Sequence, residues 1–169
     1  MKNMIKLKAG QEFSFSGIIY TARDQAHKRL TQALKTGKRL PFELKGAVIY
    51  YCGPTKTPPG KAIGSCGPTT SSRMDEFTPI LLKNGLKGMI GKGGRSLEVR
   101  KAIKKYKGVY LLAYAGCGAL ISQHVIKSQA IAYLDLGPEA ICKLEVKNLP
   151  LIVAIESRGN DIYGKQALK

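Results

Sequence analysis

Long apolar stretches are missing from this sequence. Its longest uninterrupted runs, residues 109–115 and 149–155, fall well short of the ~18–20 residues that span a bilayer. A membrane-crossing helix is therefore not expected. The first eight residues, Met-Lys-Asn-Met-Ile-Lys-Leu-Lys, carry positive charge but lack the apolar segment of an export leader, which predicts a cytoplasmic protein. Cysteine is sparse: Cys52, Cys66, Cys117 and Cys142 include no C-x-x-C pair, which argues against a zinc ribbon or a thioredoxin-type redox site. Each lies in an apolar or glycine-rich context and reads as a small buried residue. Acidic residues are scarce too, with 11 Asp and Glu against 28 Lys and Arg and a formal net charge of +17. Such a surplus is compatible with nucleic acid, acidic lipid, a negatively charged subunit or a small polyanion.

What is present points to a folded domain. A chain of 169 residues with 44% hydrophobic and 23% charged residues has globular composition, and it shows no internal repeat or second composition regime, so residues 1–169 are expected to form a single domain. The first 20 residues, ending in the run 13–20, read as one or two strands closing on a short turn. Thr21, with Asp24 three residues on, reads as the N-cap of a helix whose apolar stripe is Ala26, Leu30, Ala33 and Leu34 and which Gly37 ends. The continuous apolar run 46–51 reads as a strand buried on both faces. Residues 53–73 hold four glycines and four prolines, too many for a regular element, and a loop of that length inside a compact domain tends to be functional or disordered. Beyond it strands and helices alternate: Thr78 and Pro79 read as the N-cap and first residue of a short helix reaching to 84, 86–90 is a strand, Ser96 caps a helix with the stripe Val99, Ala102, Ile103 and Tyr106, and 109–115 and 130–134 are strands. Pro138 is expected to start a helix, and 151–156 to close the set. This alternation predicts an α/β domain with a mixed sheet and flanking helices.

Four residues stand out on chemical grounds. Gly91-Lys-Gly-Gly94 follows a strand and precedes a helix, where backbone amides can hold an anion and Lys92 would add a charge, although neither a P-loop nor a dinucleotide fingerprint is complete. Arg23 sits in the first turn of its helix, next to a positive dipole end, and so breaks a local rule. His27 lies one turn later, a place more often structural than catalytic. In residues 68–73, Pro-Thr-Thr-Ser-Ser-Arg, hydroxyls run directly into Arg73. The basic run from Lys83 through Lys87, Lys92, Arg95, Arg100, Lys101, Lys104 and Lys105 to Lys107 could serve as a phosphate-binding face of a nucleic-acid module. No aromatic residues are interleaved as a stacking platform requires, so most of it reads as the solvated side of an amphipathic helix.

Several segments coincide with one family. Residues 18–30 (with T-A-R-D-x-A-H), 40–51, 63–75 (with G-P-T-T-x-x-R), 88–93 (ending G-K-G) and 157–161 (Ser-Arg-Gly-Asn-Asp) resemble, in register from about Lys6 to Tyr163, the β subunit of the iron–sulfur class of fumarate hydratase. The same module resembles the β subunit of L(+)-tartrate dehydratase. The resemblance implies a swivelling β/β/α-type domain and a hydro-lyase acting on a C4 dicarboxylate, reversibly hydrating fumarate to L-malate, with dehydration of L(+)-tartrate as the alternative substrate. It implies that Arg23 and Arg73 clamp substrate carboxylates beside Lys92, that Thr70 and His27 also contact substrate, and that Thr69 is the catalytic base. Guanidinium forks suit carboxylates, and a threonine base needs neighbouring cations to stabilise its deprotonated form. The Lewis acid, a [4Fe–4S] cluster, would be held by a partner α subunit in a heterotetramer of two α and two β chains, with no metal ligand in this chain, no nucleic acid and no membrane as partner. Arg158 stands where the family pattern S-H-G-N-D has histidine.

Overall fold

The computed structural model describes residues 4–164; the first three residues, at the start of the stretch read for a leader, and residues 165–169 lie outside the described part. Six strands, β1 (Glu12–Thr21), β2 (Val48–Tyr50), β3 (Gly88–Gly91), β4 (Val109–Leu112), β5 (Val125–Ala132) and β6 (Ile141–Ile155), form one sheet in the order β1-β2-β3-β4-β6-β5. Strands β1 to β4 run parallel, joined by crossovers that carry helices α1 (Asp24–Lys35), α2 (Thr78–Lys83) and α3 (Leu97–Tyr106). A fourth helix, α4 (Gly118–Ser122), precedes β5. The mixed α/β architecture expected from the alternation is present.

Strand β6 adds a feature that alternation does not reveal. It pairs antiparallel with both β4 and β1, which closes β1-β2-β3-β4-β6 into a five-stranded barrel and leaves β5 on its outer side. Pro150 is tolerated inside this 15-residue strand because it pairs only with Ser14 there, past the last residue bonded to β5 and before the first bonded to β4. The closed ring explains the continuous apolar runs. Val48, Tyr50, Ile90, Val109, Leu111 and Val153 pack together in one core, and their sequence neighbours Ile49, Tyr51, Met89, Tyr110 and Ala154 pack in a second, under Ala26 and Leu30 of α1, Leu81 of α2 and Val99 and Ile103 of α3. Alternate residues of each strand thus face the barrel interior and the helices.

Several local expectations are corrected. Thr21 is the last residue of β1 rather than a helix cap: its hydroxyl donates to the Ala140 carbonyl (3.2 Å) and accepts from the Cys142 amide (2.9 Å), fastening β1 to the start of β6. The N-cap of α1 is Arg23, which has no acceptor to offer, and the carboxylate of Glu139 accepts from the Gln25 amide instead (2.8 Å). Thr78 lies within α2, donating to the Met74 carbonyl (2.8 Å). Pro138 starts no helix; it lies in a 3-10 segment, Leu134–Glu139, that kinks at Gly137 and leads into β6. Ser96 does cap α3, accepting from the Val99 amide (3.3 Å).

Candidate active site

Parallel strands end with their carboxyl ends together, and Arg23, Tyr51 and Lys92 follow three of those ends. Arg23 comes two residues after β1, Tyr51 directly after β2 and Lys92 directly after β3. Main-chain bonds extend the sheet past these ends: Ala22 N donates to Tyr50 O (3.1 Å) and Tyr51 N to Ile90 O (2.8 Å). The segment 69–71 crosses the same edge. Thr69 donates to the Tyr51 carbonyl twice, from its amide (2.8 Å) and from Oγ1 (2.9 Å), and Thr70 forms an isolated parallel bridge with Lys92 through Ser71 N donating to Lys92 O (3.0 Å). The loop that precedes it is held rather than loose. Tyr50 Oη donates to the Cys66 carbonyl, Cys66 N to Gly118 O (3.1 Å) and Thr55 N to Ser65 O (3.0 Å).

Arginines 23 and 73 meet at one carboxylate. Asp24 Oδ1 lies 2.9 Å from Arg73 Nε and Asp24 Oδ2 lies 3.9 Å from Arg23 Nη2, while Glu139 Oε1 approaches Arg23 Nη2 to 3.8 Å. The Arg73 side chain remains 51% exposed and that of Arg23 22%. Arg23 is pressed onto Gly53, where a Cβ would stand 2.9 Å from Nη1 and 3.1 Å from Cδ. Among the described residues, Arg23 Nε and Asp24 Oδ2 are buried without a hydrogen-bond partner, so the pair is aligned with bonding capacity to spare.

His27 is placed differently from the other site residues. It is fully buried, its ring edge-on to Tyr51 at 5.3 Å, and its Nδ1 stands 2.8 Å from the Arg23 carbonyl oxygen, which also accepts from the His27 amide (2.8 Å). A carbonyl can only accept, so Nδ1 carries the proton and the ring is the neutral tautomer. Burial, above all, lowers its pKa to about 4. His27 therefore lies beneath the surface that carries Arg23, Thr69, Thr70, Arg73 and Lys92.

The glycine turn is also modified by its surroundings. The first amides of α3 do not face an open anion site: Ser96 Oγ takes the Val99 amide and Asp75 Oδ2 takes the Ser96 amide (2.7 Å). Arg95 and Arg100, read as part of a solvated basic run, are not solvated. The Arg95 side chain has no exposed surface; Nε donates to Asp75 Oδ1 (2.6 Å), Nη2 to Thr78 Oγ1 (2.6 Å), and its Cζ lies 5.3 Å and 5.0 Å from the ring centroids of Tyr51 and Tyr110. Arg100 pairs with Asp161 at 3.2 Å. That contact accounts for part of the 157–161 motif. Ser157 Oγ donates to the Ile5 carbonyl (2.8 Å), Asn160 Nδ2 to Glu156 Oε1 (2.7 Å), and Arg158 is exposed.

The cysteines do not fit a cluster. Cys52 and Cys66 are buried side by side; the hydrogen bond with Cys66, then burial, push the Cys52 thiol well above its ordinary range, and burial raises Cys142 as well. Among the described residues no three His, Cys, Asp or Glu side chains are grouped to hold a metal ion, whereas cluster irons are held by thiolates. Three further residues join the site that the sequence did not single out for it: Glu139, Ser71 and Tyr110. Ser71 stood inside the G-P-T-T-x-x-R motif and could have been noticed there. Glu139 and Tyr110 reach the site only through the fold, 114 residues from Gln25 and 39 from Ser71.

The sequence model of the family described as Fumarase C-terminus matches residues 1–166. The chain is 39% identical over 165 residues to fumarate hydratase 1, mitochondrial, of Leishmania major, and 41% identical over 152 residues to the anaerobic class I fumarate hydratase of Escherichia coli. It is 42% identical over 168 residues to a putative L(+)-tartrate dehydratase subunit beta of Methanocaldococcus jannaschii. These alignments cover 96%, 89% and 96% of this chain, but 30%, 28% and 86% of the respective relatives, so the chain spans less than a third of either fumarate hydratase and most of the tartrate dehydratase subunit.

Proposed function

The chain belongs to the Fumarase C-terminus family, and from that premise we propose that it is the β subunit of an iron–sulfur hydro-lyase that interconverts fumarate and L-malate. The observation that carries this reading is the gathering of Arg23, Arg73, Thr69 and Lys92 along the carboxyl ends of β1, β2 and β3, with both arginines aligned on Asp24. Two carboxylates at the ends of a four-carbon substrate need two cationic clamps, and the half-exposed Arg73 and the Gly53-backed Arg23 offer them.

Thr69 is the proton carrier in this reading. Its neutral hydroxyl, now donating to the Tyr51 carbonyl, is the form that gives a proton to carbon during hydration; dehydration requires the same oxygen to accept one. A negative oxygen there would face the Tyr51 carbonyl, so the charges of Lys92 and Arg73 are needed to hold it. His27 fixes the carbonyl of Arg23 and so acts on the clamp from behind. Among the described residues no three His, Cys, Asp or Glu side chains are grouped to hold a metal, and the [4Fe–4S] group, which would supply Lewis-acid activation of the hydroxyl, is assigned in this reading to a cluster-bearing α partner in an α2β2 enzyme. The +17 charge of this chain suits an acidic partner face.

Co-expression with that partner under anaerobic conditions, followed by fumarate hydration assays, tests the proposal. Thr69→Ala is expected to lower kcat to a small residual rate with KM little changed, and Arg23→Lys and Arg73→Lys to raise KM and lower kcat. Wild-type kinetics in these variants would refute the assigned roles. The near full-length match to a tartrate dehydratase subunit favours a second substrate, L(+)-tartrate, which differs from L-malate by one hydroxyl. Parallel assays with both diacids decide between them.

A further inference from the structure

Behind the proposed base and its neighbouring lysine runs a chain of buried hydroxyls that the substrate would not touch. Lys92 N donates to Ser71 Oγ over 3.0 Å, Ser71 Oγ and Tyr110 Oη are 2.9 Å apart, and Tyr110 Oη is 2.8 Å from the Gly93 carbonyl oxygen. The carbonyl can only accept, so the single phenolic proton goes to Gly93. The Ser71 hydroxyl then supplies the proton of the 2.9 Å contact and keeps its lone pairs for the Lys92 amide. The path leaves the turn at the Lys92 amide and returns to it at the Gly93 carbonyl, with each hydroxyl donating once and accepting once.

The surroundings admit only this arrangement. Ser71 and Tyr110 have no exposed surface, so no water competes for their protons. Gly91 is required beside them, since a Cβ there would overlap Ser71 Oγ and stand 2.8 Å from Tyr51 Cδ2. Gly93 turns the chain at φ +80°, which aims its carbonyl at Tyr110. Arg95 lies against the Tyr110 ring, tied at its other side to Asp75, so the tyrosine is backed by a buried ion pair. Burial, first of all, pushes the Tyr110 phenol up, and it stays protonated in its donor role.

We propose that Ser71 and Tyr110 are positioning residues of this site, a hydroxyl latch that ties the Thr69-bearing segment to the Lys92 turn and sets the proposed base against the proposed cation. The segment is pinned at both ends: Thr69 to the Tyr51 carbonyl and Ser71 to Lys92. The latch rests on the roles given above to Thr69 and Lys92, and acts only through them.

Tyr110→Phe removes one oxygen and keeps the ring over Arg95. Fumarate hydration is measured for the partner-assembled enzyme as wild type, Tyr110→Phe, Thr69→Ala and the double variant. Tyr110→Phe is expected to lower kcat by on the order of tenfold to a hundredfold with KM nearly unchanged, the scale of a small misplacement of a reacting group. In the Thr69→Ala background it is expected to lower the residual rate no further. Equal losses in both backgrounds, or an unchanged kcat in Tyr110→Phe while Thr69→Ala keeps only a residual rate, would overturn the latch. If Thr69→Ala keeps wild-type turnover, the base assignment fails by itself, and the latch is decided by hydrogen exchange of the Lys92 amide in the full chain. That amide is expected to exchange at least tenfold faster in Ser71→Ala, and faster in Tyr110→Phe; unchanged protection in both variants overturns the proposal whatever the kinetics.

Discussion

Lowering the pH is expected to weaken this protein through His27 in particular. In the fold its pKa lies at about 4, because the fully buried ring is costly to charge, and unfolding returns it to the ordinary value near 6.5. The depressed value gives the sign: between these limits the unfolded chain binds a proton that the folded chain does not, so stability is full above about pH 6.5 and is lost as pH falls towards 4. At 1.36 kcal/mol for each unit of difference, the loss between about pH 7 and about pH 4.5 is roughly 2 kcal/mol. Urea unfolding at the two pH values reads it, with His27→Asn as the reference, since asparagine can donate to the Arg23 carbonyl from nearly the Nδ1 position without titrating. With a slope of about 2 kcal/mol per molar, the wild-type midpoint should fall by about 1 M more than that of the variant. Carboxylates titrate in both proteins and cancel in the comparison. Parallel shifts would refute the reasoning: His27 would then be charged in the fold, or already shielded when unfolded.

Three other perturbations test the scaffold of the site. Gly91→Ala places a Cβ against Ser71 Oγ and Tyr51, and should destabilise by about 1–3 kcal/mol, read as a lower urea midpoint; an unchanged midpoint would mean the turn has room to shift. Glu139→Ala removes the long-range cap of α1 and one partner of Arg23, for a loss of about 1 kcal/mol, or a fall in Tm of roughly 2–4 °C, while Glu139→Gln, which keeps an acceptor, should lose less. Arg95→Met strands Asp75 beside the α3 terminus and should cost about 3–5 kcal/mol, with part recovered in Arg95→Met/Asp75→Asn; a loss under 1 kcal/mol by urea unfolding would show that the ion pair only balances its own desolvation.

The legible parts of this fold are those fixed by neighbours in sequence. The stripes of α1 and α3, the Ser96 cap, the Gly91–Gly94 turn and the doubly buried β2 are all local patterns, and the structure keeps them. Barrel closure was not legible, because the antiparallel pairing of β6 with β1 joins residues as far apart as Glu12 and Ile152. The same distance in sequence explains the misplaced caps. Thr21 has the chemistry of an N-cap, but β6 competes for its hydroxyl, and the cap that α1 does receive comes from Glu139. At the site, motif positions put Arg23, Thr69, Arg73 and Lys92 along one sheet edge, whereas Tyr110 carried no sequence signal, since a tyrosine in an apolar strand looks the same whether its hydroxyl is idle or bonded.

The charge imbalance looks different once the acids are located. Acidic residues are few, and the fold sets the aspartates on arginine: Asp24 on Arg23 and Arg73, Asp75 on Arg95, Asp135 on Arg29, Asp161 on Arg100. A guanidinium presents several donors in one plane, so it can hold a carboxylate and still bond elsewhere, as Arg95 does to Thr78. A lysine ammonium has no such fixed fork, and Lys101, Lys104 and Lys105 remain at the surface. Asp24 Oδ1 meets Arg73 at Nε, on one edge of a guanidinium whose side chain is half exposed, which leaves open surface for an incoming carboxylate. In the proposed function the aspartate then orients the proposed clamp at the expense of one unit of attraction, a loss that matters little to a dianionic substrate approaching a chain that carries +17.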